Sequence, residues 1–270
     1  MIALTKDNRM LGYQLLSRYS NISHFVTTRE GGCSGGNYAS FSCSPFSGDE
    51  QANVARNQEI LCSLLPQKPE FLLIPFQTHG TKIAVINTDY IYSSTEQQKN
   101  MLNGVDALIT NEQGCCLCIS TADCIPVLLY DPCRKVVAAV HAGWRGTVAG
   151  IVSKTLELMR ERFQIETSDV IACIGPGISA ASFEVGEEVY ETFKKEGFAM
   201  EQISFLHPQT NKWHIDLWEA NRLQLIQSGV QANHIEQSGI CTYVNYEQFF
   251  SARRLGIRSG RILSGIMLNR

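Results

Sequence analysis

The sequence predicts an α/β (α+β) fold in which helices flank mixed sheets. Short apolar segments typical of strands outnumber the amphipathic segments typical of helices. The two kinds of segment do not alternate strictly, as they would in a doubly wound parallel sheet. No G-x-G-x-x-G pattern follows a first strand and no G-x-x-x-x-G-K-[ST] pattern occurs, which argues against dinucleotide-binding and P-loop folds.

Nine segments are predicted to be strands. Each is short, rich in β-branched or apolar residues, and bounded by Gly, Pro, Asp or Asn. They are His24–Thr28, Phe71–Phe76, Lys82–Asn87, Ala107–Thr110, Cys115–Ser120, Pro126–Tyr130, Val136–His141, Val170–Ile174 and Arg261–Met267.

Four segments are predicted to be helices, the longest being Thr147–Phe163, whose apolar residues recur at helical spacing. The others are Gln51–Leu65, Gly186–Lys195 and Leu217–Ser228, the last of which is expected to stop at Gly229. The polar segment Tyr92–Asn103 is predicted to be a surface loop between two strands.

The length of the chain indicates one globular domain over residues 1–270, and its charge argues against nucleic acid as a partner. A chain of 270 residues buries most of its apolar surface and needs no disulfides for a core. The net charge is −3, and Lys and Arg are scattered, which argues against nucleic acid as a partner. The one basic cluster, Arg253, Arg254, Arg258 and Arg261, is interpreted as a solvated face.

The sequence shows neither the apolar run of a membrane span nor the pattern of a signal peptide. No apolar run of about 18 residues occurs, so no membrane span is predicted. The first twenty residues lack the order of a signal peptide, and a cytoplasmic location is expected. The ten cysteines therefore do not indicate a disulfide framework.

Three segments carry reactive side chains where predicted strands end. They contain His79, the Asp123-Cys124 pair and His141, respectively. Two His and one Cys are a zinc-binding set that leaves a fourth position for water or substrate. Asp123 is a candidate to accept a proton or to orient a His ring.

The same residues allow a second hypothesis, a cysteine nucleophile. Cys124 with His141 as its base is the arrangement of a Cys–His hydrolase. A dyad needs no second His, whereas a metal site does, so His79 separates the two hypotheses.

Other residues are candidates for substrate binding. Gly175 and Gly177 follow a strand, and their backbone N–H groups are candidates to approach an anion, although a plain turn explains them equally well. Arg29 and Arg145 are candidates for bidentate contacts to phosphate. Phe183 is a candidate to stack on an aromatic substrate.

Long motifs resemble those of a known family. They are the segment around His79, Ser120–Asp131 (STADCIPVLLYD), Ala138–Gly146 (AAVHAGWRG), Ile174–Ile178 (IGPGI), the FEVG segment from Phe183, the HIDL segment with Asn221, Cys241-Thr242 and the S-x-R-R segment ending at Arg254. The resemblance is to the laccase-like "multicopper polyphenol oxidase" family, also described as purine nucleoside phosphorylases and adenosine deaminases and, in some bacteria, as peptidoglycan editing factors.

The resemblance implies a fold, a metal centre and an activity. The fold would be layered α/β/β/α, similar to the catalytic domain of cytotoxic necrotizing factors. His79, Cys124 and His141 would bind zinc, or copper. The activities would be phosphorolysis of adenosine, inosine and methylthioadenosine and deamination of adenosine. The partners would be a nucleoside and phosphate.

Two features qualify the resemblance. A four-copper oxidase needs about ten His ligands in general, and this chain has only six His, so at most weak polyphenol oxidase activity with copper is expected. Where the family usually continues Leu-Asn-Leu, this chain has Phe41-Ser42-Cys43, so Ser42 replaces an Asn and an altered substrate preference is expected. A Cys–His amidase or a peptidoglycan editing factor is the alternative function.

Overall fold

Two six-stranded sheets packed face to face form the centre of the computed structural model, which describes residues 1–270. The strands are β1 Ile2–Ala3, β2 Met10–Gly12, β3 Ile22–Thr27, β4 Phe71–Leu73, β5 Ile83–Ile86, β6 Ala107–Thr110, β7 Cys115–Thr121, β8 Ile125–Asp131, β9 Val136–Ala142, β10 Ile171–Ile174, β11 Glu184–Val185, β12 Ser204–Leu206, β13 Trp213–Ile215, β14 Ile235–Gln237 and β15 Ile262–Leu268. The helices are α1 Gln51–Leu64, α2 Thr88–Tyr92, α3 Thr95–Met101, α4 Trp144–Val148, α5 Ile151–Phe163, α6 Glu187–Lys195, α7 Met200–Ile203, α8 Leu217–Gln227 and α9 Ala252–Leu255.

Both large sheets are mixed, as the sequence predicts. The first has the order β1-β2-β3-β15-β7-β4 and the second has the order β14-β10-β8-β9-β6-β5. Most neighbours are antiparallel, but β4–β7, β5–β6 and β10–β14 are parallel pairs. A third, small sheet has the order β11-β13-β12. No helix is long and apolar enough to cross a membrane.

The molecule has four layers, α/β/β/α, and an apolar cluster lies between each pair of adjacent layers. Leu61 and Leu65, at the end of α1, pack with Cys116 and Cys118 on the outer face of the first sheet. The facing sides of the two sheets form a second cluster, and the outer face of the second sheet packs against α5 and α8 in a third. Because both faces of each sheet are covered, the strands read as continuous apolar runs. The layered α/β/β/α arrangement is confirmed.

All nine predicted strands are present, with ends that differ by a few residues. The predicted helices Gln51–Leu65, Gly186–Lys195 and Leu217–Ser228 correspond to α1, α6 and α8. The predicted helix Thr147–Phe163 is divided into α4 and α5. Gly150 lies between them in the left-handed region, at φ +74°, and this conformation interrupts a continuous helix.

The loop prediction for Tyr92–Asn103 is wrong, since this segment contains the helix α3. The Ser94 side chain accepts a hydrogen bond from the Gln97 N–H, and the Gln97 side chain accepts one from the Ser94 N–H. This reciprocal capping box satisfies two backbone donors at the start of the helix. The polar composition that indicated a loop thus belongs to an exposed, capped helix.

A buried histidine on β3 lies away from the other histidines discussed below. His24 is 7% exposed, and its Nε2 accepts a hydrogen bond from the Tyr13 N–H at 2.9 Å. Accepting this bond requires an unprotonated Nε2. Burial lowers the pKa of His24 from 6.5 to about 4, so the ring is neutral in the folded protein at neutral pH.

His24 is expected to make the stability depend on pH below neutrality. Because the folded-state pKa is depressed, its contribution is complete above about pH 6.5 and is lost as the pH falls toward about 4. The difference in unfolding free energy between wild type and His24→Gln should shrink by about 3 kcal/mol over that range. Denaturant titrations at several pH values measure it. Other titrating groups are present in both proteins, so a constant difference would contradict the prediction.

Candidate metal centre

A cleft of about 690 Å³ brings the three reactive segments together. It lies where β7 and β9 end and β8 begins, and His79, Asp123, Cys124 and His141 all line it. The sequence places these residues at strand ends, and the pairing of β8 with β9 brings two of them together, since Ile125 pairs with Ala142. Strand ends hold reactive groups in place while the connecting loops expose them.

His79 lies on the connection from β4 to β5 in a left-handed backbone conformation, at φ +61°. Asp106 holds this turn because its carboxylate accepts the N–H groups of Thr78 at 3.3 Å, His79 at 2.9 Å and Gly80 at 2.8 Å. A positive φ is unfavourable for a residue with a side chain and persists only where the surroundings impose it. Asp106 therefore fixes the direction in which the exposed His79 ring enters the cleft.

His141 is the penultimate residue of β9 and is 2% exposed. Its Nδ1 lies 2.8 Å from Asp106 Oδ1, which assigns the proton to Nδ1 and leaves Nε2 for the cleft. Burial opposes the charged ring, but the Cys124 thiolate and Asp106 outweigh this effect and raise the pKa of His141. One carboxylate thus positions both histidines, whose ring centres are 4.8 Å apart.

Cys124 lies in the turn between β7 and β8, partly exposed to the cleft. Burial raises the pKa of this thiol, but His141 and His79 more than offset that effect and lower it below the usual value. Gly143 makes room for the group, since a Cβ at this position would lie 3.1 Å from Cys124 Sγ and 3.0 Å from His79 Cδ2. The cleft therefore favours a thiolate beside two imidazoles.

These three side chains fit a metal ion. Their ligand atoms all lie within 4.8 Å of one another, and no other group of three His, Cys, Asp or Glu residues is arranged in this way. Two imidazoles and a thiolate are a zinc-binding set, and copper also accepts these ligands. A carboxylate on the second nitrogen of a ligand histidine, here Asp106 on His141, is the usual companion of such a site.

Asp123 precedes Cys124 and also has a positive φ, +90°. Its Oδ1 accepts a hydrogen bond from the Thr242 hydroxyl and its Oδ2 accepts one from the Arg253 N–H, both at 2.7 Å. These donors fix the carboxylate at the wall of the cleft, 9% exposed. Asp123 is thus placed beside the reactive group, as the sequence suggests, and is held by a segment more than 100 residues away.

The two glycines of the IGPGI segment, Gly175 and Gly177, pack against the segment that carries Cys124. The Gly175 N–H donates to Pro126 O at 2.8 Å and the Gly177 N–H donates to Ile240 O at 3.2 Å, so neither N–H is free for an anion. A Cβ at Gly177 would lie 2.4 Å from Ile125 Cδ1 and 3.0 Å from Asp123 O. Gly177 therefore allows this segment to pack closely against the turn that carries Cys124.

The other predicted binding residues are separated by the fold. Phe183 lines the cleft. Arg29 is not among the residues that line it, and its guanidinium donates to the carbonyl groups of Ala39 and Tyr246, at 2.9 and 2.6 Å. Arg145 is exposed and lies over the Trp144 ring, 4.3 Å from its centre, outside the residues that line the cleft.

Three site residues were not among the sequence candidates. Asp106 stands before β6 in an apolar segment, and a buried carboxylate in such a segment was the available signal. Arg253 and Arg261 line the cleft, so two members of the cluster that is predicted to be a solvated face belong to the site. Ser42, the unusual residue, is buried and does not line the cleft, but its Oγ accepts the Arg261 N–H at 3.3 Å.

Comparison with known proteins agrees with this arrangement. The family model described as multi-copper polyphenol oxidoreductase laccase matches residues 23–269. A Bacteroides thetaiotaomicron protein named purine nucleoside phosphorylase is 61% identical over 270 residues, which cover 100% of both chains. A protein of an unknown prokaryotic organism, named adenosine deaminase RL5, is 41% identical over 247 residues, 91% of this chain and 93% of its own.

A solved structure shows the same fold. YlmD from Geobacillus stearothermophilus aligns with a TM-score of 0.85 at 31% sequence identity, covering 93% of each chain. The matched family model spans nearly the whole chain and includes all three of His79, Cys124 and His141. The chain therefore belongs to the multi-copper polyphenol oxidoreductase laccase family.

Proposed function

We propose that the protein is a zinc-dependent purine nucleoside enzyme that phosphorolyses adenosine, inosine and methylthioadenosine and deaminates adenosine. The observation that carries the proposal is the convergence of His79, Cys124 and His141 in one cleft of about 690 Å³. The names of the two similar proteins support the substrate class. A zinc ion bound there would supply Lewis-acid chemistry next to the substrate.

The cleft offers surfaces for a purine as well as for the reacting groups. Phe46, Phe76, Trp144 and Phe183 line it. Phe46 and Phe76 are 50% and 45% exposed, unusually high for large apolar side chains, and their rings meet edge to face at 5.2 Å. Flat aromatic rings of this kind are available to stack on a nucleobase and to exclude water from one side of it.

In phosphorolysis, a phosphate oxygen forms a bond to C1′ of the ribose as the C1′–N9 bond breaks. The purine leaves with the electron pair of that bond and takes up a proton, while hydrogen phosphate loses one, so the products are the free base and ribose 1-phosphate. Asp123, fixed by Thr242 and the Arg253 N–H, is the group that would relay this proton. General acid–base help of this kind contributes about 10²–10⁴-fold.

In deamination, water adds to C6 of adenosine and ammonia leaves, which gives inosine. The proton that the water loses passes to the departing amino group. Asp123 is the candidate carrier here as well, since it lies beside Cys124 and lines the cleft. The same carboxylate and the same cleft would therefore serve both reactions, with phosphate or water as the second substrate.

The test is product chromatography with the zinc-loaded protein. Adenosine, inosine and methylthioadenosine are each incubated with and without phosphate, and Cys124→Ser purified in parallel measures any contaminating host enzyme. Free base that needs phosphate, together with ribose 1-phosphate from adenosine or inosine and 5-methylthioribose 1-phosphate from methylthioadenosine, supports the proposal, as does inosine formed from adenosine without phosphate. Equal product from wild type and Cys124→Ser, or none from either, would refute it.

A specific observation supports a second candidate, a Cys–His amidase. Asp106 contacts His141 Nδ1 at 2.8 Å, and His141 in turn lowers the pKa of Cys124. Asp106 would therefore orient His141, His141 would act as the base, and Cys124 would be the nucleophile. A peptidoglycan-editing hydrolase belongs to this class. It predicts turnover without metal, inactivation by thiol alkylation, and tolerance of His79→Ala.

A further inference from the structure

Two of the four arginines of the basic cluster lie in the cleft. Arg253 is in α9 and Arg261 immediately precedes β15, and both line the cleft together with Asp123 and Cys124. The other two are directed elsewhere. Arg254 lies over the rings of Tyr243 and Tyr246, and Arg258 is exposed outside the cleft.

The Arg261 guanidinium is held rigidly but is not neutralised. It donates from Nη1 to the carbonyl groups of Ser259 at 2.6 Å and Gly260 at 3.0 Å, and from Nη2 to Ile257 O at 2.9 Å. It forms no ion pair with a carboxylate, and its Nε–H donates to no protein acceptor. A half-buried cation that has only neutral partners keeps a strong attraction for an anion.

Arg253 presents a second cation to the cleft. Its backbone N–H is used by Asp123, while its guanidinium lies over the Phe183 ring, 5.6 Å from the centre. The guanidinium makes only long contacts to Glu184 O, at 3.3 and 3.4 Å, and no ion pair. The backbone thus anchors Arg253 at the site, and the exposed side chain keeps donors for a bound group.

Charge favours an anion with several oxygens. Asp123 is the single carboxylate that lines the cleft, and its two oxygens already accept hydrogen bonds, whereas two arginines without a carboxylate partner line the same cleft. Guanidinium groups match phosphate by donating two parallel N–H bonds. We propose that Arg253 and Arg261 form the phosphate subsite of the cleft, in place of Arg29 and Arg145. This inference rests on the proposed phosphorolysis.

Ser42 contacts the proposed phosphate subsite through the backbone of Arg261. The Ser42 hydroxyl accepts the Arg261 N–H, and the Asn57 side chain donates to Ser42 O at 2.9 Å, so residue 42 positions the backbone of Arg261. A change of side chain at this position acts on the phosphate-binding arginine and not directly on the base.

The experiment compares Arg253→Gln and Arg261→Gln with Arg258→Gln, which removes the same charge from the same segment outside the cleft. KM for phosphate and for inosine is measured with zinc-loaded full-length protein. Binding of inorganic phosphate without nucleoside is measured by calorimetry, and zinc content is measured for every variant. Arg253→Gln and Arg261→Gln should each raise KM and Kd for phosphate roughly tenfold or more, while KM for inosine changes less than about twofold. Arg258→Gln should match wild type.

The outcomes separate this inference from the proposed function. Phosphate KM and Kd within about twofold of wild type in both cleft variants would overturn the subsite, as would a wild type that binds no phosphate. If wild type turns over no nucleoside but binds phosphate through these arginines, the subsite stands and phosphorolysis fails. If Arg261→Gln does not fold, the exposed Arg253 decides the question alone.

Discussion

Replacing His79 with alanine is expected to lower nucleoside turnover by about 10³-fold or more and to remove the bound metal. A Lewis acid contributes several kcal/mol to a reaction of this kind, and a centre that keeps only Cys124 and His141 loses one of three ligands. His79 is exposed at the cleft, so its loss removes little packing. Zinc content after dialysis and turnover of inosine or adenosine are the two measurements.

The control for this variant is His234→Ala, which removes a partly exposed histidine outside the cleft. It should keep both zinc and turnover. Full turnover by His79→Ala, together with inactivation of the metal-free protein by a thiol-alkylating reagent, would contradict the metal centre. That combination would favour the Cys–His hydrolase, because a dyad of Cys124 and His141 does not use a second histidine.

Replacing Asp106 with asparagine is expected to weaken zinc binding about 10- to 100-fold, although Asp106 does not line the cleft. Partners of metal-bound histidines have effects of this size when they are replaced. Asp106 is fully buried and fixes both the His141 ring and the turn that carries His79. An asparagine amide has one acceptor oxygen and one NH₂ group, so at least one of these donors loses its partner, which costs about 1–3 kcal/mol of stability.

A matched control is available at the opposite end of β8. Asp131 is also fully buried, and its carboxylate accepts the Arg134 N–H at 2.7 Å far from the cleft. Asp131→Asn should leave zinc affinity unchanged, because an amide oxygen can still accept the Arg134 N–H. Competition with a metal-binding dye measures the affinity of both variants. Equal zinc affinity in wild type and Asp106→Asn would show that the carboxylate only supports the fold.

The sequence predicted nine of the twelve strands of the two large sheets, because most of these strands are buried on both faces, and none of the third sheet. Apart from polar residues near their ends, β7, β8 and β9 are apolar, so each strand stands out against the polar turns that bound it. The loop prediction for Tyr92–Asn103 failed because this segment buries no residue of its helix. An exposed helix has no apolar face to detect, and only the capping box at Ser94 and Gln97 marks it.

The sequence by itself determined nine of the fifteen strands, three of the main helices and the position of the reactive residues at strand ends. It also carries the motifs that indicate His79, Cys124 and His141 as ligands. Only the tertiary structure decided which partners complete the site. Asp106 joins His79 to His141, and the segment near residue 253 crosses the cleft to hold Asp123. Arg29 and Arg145 lie outside it while Arg253 and Arg261 lie within. The physical reason is that local patterns record what a segment buries, whereas hydrogen bonds between segments 20 to 130 residues apart depend on how the strands pair and how the connections between them pack.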